Sequence, residues 1–203
     1  MKDEKNNIMS NRIAFSDIFC GVNATGKTTK LKECISHLVK KGNRVLIVTP
    51  DPIEWRDITE IKQNNRKEIK TFKGVRRIIY DDSCMDDIRK YLHNAVLVLD
   101  DCRVYIGNQR DDVMAWLQIR RRQIGIDLYC VFHGLTEVPV KFFTFTSRLF
   151  LFYTIDNIIR RNNCLSKEMI DLINTRKKII DGQMRAGNRY YFEIITLDIR
   201  FKK

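Results

Sequence analysis

A glycine-rich segment near the start of the chain has the residue types and spacing of a phosphate-binding loop. Residues 21–28 read Gly-Val-Asn-Ala-Thr-Gly-Lys-Thr and fit the pattern G-x-x-x-x-G-K-[ST]. Gly21 and Gly26 allow a tight turn around an anion, which the loop N–H groups and the start of the next helix then bind. In this pattern Lys27 reaches the β- and γ-phosphates, and the Thr28 hydroxyl binds Mg²⁺. The segment predicts a site for ATP and Mg²⁺ whose binding residues are Gly21, Val22, Asn23, Ala24, Thr25, Gly26, Lys27, Thr28 and Thr29.

Two adjacent carboxylates follow the most continuous apolar run of the chain. Residues 95–99 read AVLVL, the composition of a buried parallel strand, and Asp100 and Asp101 come next. A phosphate-loop enzyme holds Mg²⁺ with a carboxylate in addition to the hydroxyl of the loop. We therefore expect Asp100 to bind the metal beside Thr28. Asp101 is placed to orient or deprotonate the attacking water, although it also fits the simpler role of capping a turn. Three aspartates after shorter apolar runs are weaker candidates: Asp51, Asp81 and Asp82.

Basic and polar residues follow in the next helix and strand. Arg120, Arg121 and Arg122 end the helical pattern, where they fit either a solvated basic helix terminus or an arginine that reaches a neighbouring subunit's γ-phosphate. His133 directly follows the next strand, DLYCVF, and we expect it to contact the γ-phosphate or its water. An ordinary hydrogen-bonded histidine fits the same position.

The elements that must position these residues alternate between strand and helix. Strands are predicted at 13–20, 44–48, 77–80, 95–99, 127–132, 148–153 and 189–197, and helices at 27–40, 83–92, 111–123 and 166–180. Gly42, Gly125 and Gly182 are predicted to end three of the helices. The order predicts an α/β fold with a mostly parallel central sheet flanked by helices, whose last two strands run antiparallel at an edge. Residues 53–75 fit no clear pattern.

Length and composition restrict the class of protein. The 203 residues, 44% of them hydrophobic, suit a single domain over 1–203, with a polar extension at 1–12 and a C-terminal part at 135–203 in the same domain.

No apolar leader precedes the first strand, and residues 142–155 are too short and polar to span a bilayer, so we expect a cytoplasmic protein. The six cysteines form no C-x-x-C pair; Cys20, Cys102 and Cys130 lie in or beside apolar runs, which favours buried free thiols.

The net charge of +12 suits a polyanionic partner, either nucleic acid or an anionic membrane surface. No predicted helix looks like a membrane anchor, so the backbone of DNA is the better expectation. The basic residues that we expect to face it are the loop 103–110 together with Arg160, Arg161, Arg176, Lys177 and Lys178.

The order of these motifs resembles the FtsK–HerA superfamily of DNA-pumping ATPases, and its short form looks like the genome-packaging ATPases of internal-membrane icosahedral viruses. The resemblance covers residues 13–134. It implies a RecA/FtsK-like sheet and a pentameric or hexameric ring that moves double-stranded DNA without reading its sequence. It also implies capsid or membrane-vertex partners and a location in the host cytoplasm or virion. By position, Arg122 matches the arginine that acts on a neighbouring subunit, and Arg121 is the alternative.

The chain departs from the family pattern at three points. Asp101 stands where Glu is commoner, His133 stands where Gln is usual, and the phosphate loop lacks an extra central glycine. The first two affect how water is activated, and none affects nucleotide binding. Two other enzymes remain open, a phosphate-loop kinase of nucleotides or small molecules and a phage-assembly ATPase similar to the zonula occludens toxin family. A non-enzymatic basic binding module would leave the phosphate loop and the acidic pair unexplained.

Overall fold

Seven strands form one sheet in the computed structural model, which describes residues 14–105, 111–158 and 165–198. The strands are β1 (Ser16–Cys20), β2 (Val45–Thr49), β3 (Val75–Ile79), β4 (Ala95–Leu99), β5 (Ile126–Phe132), β6 (Arg148–Leu151) and β7 (Glu193–Thr196). Their order is β3-β2-β4-β5-β1-β6-β7, and every neighbouring pair is parallel except β6 with β7. The predicted α/β fold, with a mostly parallel sheet and an antiparallel edge, is confirmed.

Helices cover both faces of this sheet. They are α1 (Lys27–Lys40), α2 (Cys84–Tyr91), α3 (Asp111–Ile124), α4 (Val140–Phe145) and α5 (Lys167–Arg185). Alternate residues of β1 point to opposite faces: Phe19 packs in one core with Leu31 and Ile35 of α1, and Ile18 and Cys20 pack in the other. The second core is completed by residues of the remaining helices, including Ile88, Leu117, Phe142, Ile173 and Ile180. Burial on both faces explains why the strands read as continuous apolar runs.

Two predicted boundaries are wrong near the C-terminus. Gly182 does not end α5, which continues to Arg185, because a single glycine inside a helix weakens it without breaking it. The last strand is predicted at 189–197 but spans only Glu193–Thr196, because β6 offers four residues for it to pair with. Residues 189–192 therefore lie outside the strand, close to the phosphate loop.

Residues 53–75, which showed no pattern in the sequence, contribute to the core. Trp55, Ile61, Ile69 and Phe72 are buried, and a short 3-10 helix forms at Gln63–Lys70. Cys20, Cys102 and Cys130 are fully buried, as their apolar surroundings predict. Within the described part of the chain, no helix is both long and apolar enough to cross a bilayer.

Candidate functional site

The glycine-rich segment forms the connection between β1 and α1. A Cβ atom on Gly21 would lie 2.6 Å from Cβ of Phe152 and 2.9 Å from the carbonyl oxygen of Tyr153, so the start of the loop has room only for glycine. Val22 N donates to that same carbonyl at 2.9 Å. Ala24 and Gly26 both have left-handed backbone angles, with φ of 60° and 93°. The segment therefore curls tightly against the end of β6 before α1 begins.

Lys27 points back into this loop. Its Nζ donates to the carbonyl oxygens of Gly21 at 2.6 Å and Val22 at 2.8 Å, and the Thr25 hydroxyl donates to Val22 at 2.8 Å. Lys27 is only 6% exposed, and this burial lowers the pKa of its ammonium, whereas nearby acids such as Asp100 oppose the shift. A buried cation held at the mouth of a curled loop is suited to binding phosphate.

One cavity of about 410 Å³ joins the loop to the ends of two strands. Its size lies within the usual range for small-molecule sites. The loop contributes Asn23, Ala24, Gly26, Lys27, Thr28 and Thr29, and the other lining residues are Glu54, Asp100, Val131, His133 and Tyr190. The phosphate loop, Asp100 and His133 were separate features of the sequence. The strand order brings them together, because β4, β5 and β1 are neighbours.

Asp100 is held at the end of β4 by two hydrogen bonds. Its Oδ2 accepts from Trp55 Nε1 at 2.8 Å and from the Thr49 hydroxyl at 3.3 Å. Burial raises the pKa of Asp100, and these two hydrogen bonds oppose that rise. The Asp100 carboxylate and Thr28 line the same cavity and carry the oxygen atoms that Mg²⁺ prefers. The residues present thus fit a Mg²⁺ ion bound together with nucleotide phosphates.

Asp101 belongs to a closed group of four residues beside the cavity. Arg103 Nε donates to Asp101 Oδ1 at 3.3 Å, and Arg103 Nη1 donates to Glu137 Oε1 at 3.2 Å. Glu137 also accepts from the backbone N of His133 at 3.0 Å, and His133 Nε2 lies 3.6 Å from Asp101 Oδ1. The left-handed φ of 52° at Asp101 turns the chain here. Asp101 and His133 are therefore brought together, with Glu137 as a second carboxylate.

Arg121 and Arg122 lie at the opposite end of the sheet. The carbonyl of Ile124, at the end of α3, accepts from Asn94 just before β4, whereas the phosphate loop follows the carboxyl end of β1. Arg121 is buried and donates to Gln118 and to the Phe145 carbonyl, so its guanidinium is held inside its own chain. Arg122 lies on the surface and lines another cavity of about 660 Å³. Neither arginine can reach the phosphate loop of its own chain.

The weaker aspartate candidates have other partners. Asp51 accepts from Ile53 N at 2.7 Å, and Asp81 pairs with Arg66. Among the basic residues expected to face DNA, Arg176 pairs with Glu193 and Lys177 with Asp181. The residues 106–110, Arg160 and Arg161 lie outside the described ranges, as does the extension 1–12.

Four residues of this region carried no signal in the sequence that marked them as part of a site. Trp55 and Glu54 fall in the unassigned segment 53–75, Glu137 lies just beyond the strand predicted at 127–132, and Tyr190 was expected inside a strand. Trp55, Glu54 and Tyr190 reach the site only through the packing of segments far apart in sequence, which local patterns do not encode. Glu137 is close to His133 in sequence, but its contact with Arg103 also joins distant segments.

Comparison with known proteins finds related folds. The genome packaging NTPase B204 from Sulfolobus turreted icosahedral virus 2, in complex with sulfate, matches with a TM-score of 0.68 and 16% identity over 92% of this chain and 93% of that chain. The same protein in complex with AMPPCP gives 0.63 and 14% identity over 89% and 96%. The pCW3 conjugation coupling protein TcpA gives 0.52 and 12% identity over 78% of this chain and 54% of that chain. No family model and no curated protein matches the sequence. The chain therefore has the fold of these P-loop NTPases.

Proposed function

We propose that this protein is an ATP-hydrolysing motor that moves double-stranded DNA, of the kind that packages a viral genome. The observation that carries the proposal is that Lys27, Thr28, Asp100 and His133 line one and the same cavity. The fold shared with the genome packaging NTPase B204 supports DNA as the molecule that is moved. The net charge of +12 exceeds what a nucleotide site uses and suits contact with backbone phosphates.

The residues divide the work of hydrolysis among them. The loop amides and Lys27 bind the β- and γ-phosphates, and Thr28 and Asp100 hold Mg²⁺, which neutralises charge on the phosphates. Asp101 orients the attacking water, and His133 contacts the γ-phosphate or that water. Arg122 from a neighbouring copy stabilises the charge of the transition state. This role requires copies to assemble, as in a ring, because Arg122 and its own phosphate loop lie at opposite ends of the sheet.

The test is steady-state ATP hydrolysis by the full chain with and without double-stranded DNA. We expect Lys27→Ala to abolish hydrolysis, and Lys40→Ala, an exposed residue at the far end of the same helix, to leave it unchanged. DNA should stimulate the wild-type rate, and the stimulation should weaken steeply with added salt.

Two results would contradict the proposal. Hydrolysis that survives Lys27→Ala would show that the site is elsewhere. Transfer of phosphate to nucleoside monophosphates, with no response to DNA, would instead assign the protein to the kinases of the same fold.

A further inference from the structure

An exposed aromatic side chain stands beside the phosphate loop. Tyr190 is 66% exposed, and a Cβ atom on Gly26 would lie 3.3 Å from its Cδ1 atom, so its ring packs against the bare backbone of that glycine. Tyr190 lines the same cavity as Thr28 and Thr29. Single exposed aromatic residues are ordinary on protein surfaces, so the position of Tyr190 rather than its exposure is informative.

The cavity has two distinguishable ends. Asp100 and His133 stand at the tips of β4 and β5, on one side of β1, whereas Tyr190 precedes β7 on the other side. The acids that act electrostatically on Lys27, Asp100 and Asp101 among them, also belong to the first end. A triphosphate whose γ-phosphate lies near Asp100 must therefore extend its nucleoside past the loop, toward Tyr190.

The segment that carries Tyr190 is anchored on both sides. Asn188 donates from its backbone N to the Gln183 carbonyl at 2.9 Å and from its side chain to Gln183 Oε1 at 3.1 Å. Phe192 stacks on Phe152, with ring centroids 5.0 Å apart. A ring presented on a fixed segment loses little conformational freedom when a ligand packs on it.

We propose that the ring of Tyr190 stacks on the base of the bound nucleoside triphosphate. Aromatic stacking tolerates any base because every base has a flat face, so Tyr190 would favour a nucleotide over a bare polyphosphate rather than read one base. Purines, with the larger ring system, would gain most. This inference rests on the proposed nucleotide site and is independent of DNA movement.

The experiment compares equilibrium binding of ATP and of inorganic tripolyphosphate, each with Mg²⁺, to the full chain. Tyr190→Ala should weaken ATP binding by roughly 5- to 150-fold, the range expected for loss of one stacked base. Tripolyphosphate binding should not change, which also shows that the variant is folded. Tyr190→Phe keeps the ring and should bind ATP as the wild type does. Phe145→Ala removes an exposed aromatic at the other end of the sheet and should also have no effect.

The outcomes distinguish the proposed nucleotide site from the stacking role of Tyr190. Wild-type protein that binds neither ligand would overturn the nucleotide site and the inference with it. Wild-type protein that binds both, with Tyr190→Ala weakening neither or weakening both equally, would leave the site standing and overturn the stacking role alone.

Discussion

The indole Nε1 of Trp55 donates a 2.8 Å hydrogen bond to Oδ2 of Asp100, the carboxylate at the tip of β4. Trp55 is 2% exposed and packs in the core beneath α1, so the bond ties Asp100 to the interior. Burial raises the pKa of Asp100, and the indole hydrogen bond opposes that rise by stabilising the charged form. Trp55 therefore helps to keep Asp100 ionised, which the proposed role of Asp100 as a Mg²⁺ ligand requires.

Replacing Trp55 by Phe removes this hydrogen bond and should raise the pKa of Asp100 further. The acidic limb of the pH profile of ATP hydrolysis should then move to higher pH. The matched control is Trp116→Phe, since Trp116 lies on α3 away from Asp100 and is the second of the two tryptophans. An unchanged pH profile in Trp55→Phe would show that the indole hydrogen bond has no effect on the pKa of Asp100.

Asp101→Asn tests which carboxylate activates water. We expect the rate of hydrolysis to fall by about 10²- to 10⁴-fold, the usual contribution of a general base, while ATP binding stays the same. Glu137→Gln keeps the volume of the second carboxylate, which contacts Arg103 and His133, and should cost much less. Single-turnover rates and equilibrium binding of both variants give the comparison. A larger loss of hydrolysis rate in Glu137→Gln than in Asp101→Asn would assign the activation of water to Glu137.

Gly21→Ala should destabilise the fold. The added Cβ would meet Phe152 and the Tyr153 carbonyl at distances below 3.0 Å, and forcing atoms into a packed site costs about 1–3 kcal/mol. Gly182→Ala provides the contrast, because open space surrounds that helical position and alanine there should stabilise by about 0.5–1 kcal/mol. Urea unfolding of the two variants measures both changes, and equal effects would contradict the packing argument.

Arg122→Ala tests the action of one copy on another. Because Arg122 is on the surface, the free energy of unfolding should change by less than about 0.5 kcal/mol, while hydrolysis should fall by about 10³-fold. Mixing this variant with Lys27→Ala protein should restore part of the activity, since the second variant supplies intact Arg122 to sites with intact Lys27. Arg121→Ala should instead destabilise the fold, because Arg121 is buried and bonded to Phe145. A mixture with no recovery would exclude the intersubunit role.

The buried carboxylate of Asp17 should make stability depend on pH. Burial raises its pKa from 3.8 to about 6, although the ion pair with Arg148 partly opposes this. The folded state therefore binds the proton more tightly than the unfolded chain. Its stability relative to Asp17→Asn should fall by about 3 kcal/mol in total as the pH rises from about 3 to about 7, with most of the fall between the two pKa values. Urea unfolding of the wild type and of Asp17→Asn across this pH range measures the difference. A wild type that gains stability relative to Asp17→Asn as the pH rises would contradict the prediction.

The sequence by itself determined the features that depend on neighbouring residues. The phosphate loop is visible because its glycines, lysine and threonine are adjacent along the chain. The strands of the sheet read as apolar runs because both faces of the sheet are buried. The helical pattern at 166–180 is likewise local, and it begins at Ser166, whose side chain caps α5 by accepting a hydrogen bond from Met169 N three residues on.

Only the tertiary structure decided which of these features meet. The placement of β1 between β5 and β6 sets Gly21 against Phe152, and the burial of segment 53–75 brings Trp55 to Asp100. The pairing of β6 with β7 leaves Tyr190 outside the strand and next to Gly26. Strand order and the path of connecting segments depend on how whole faces pack against each other, and that free energy is spread over residues far apart in sequence.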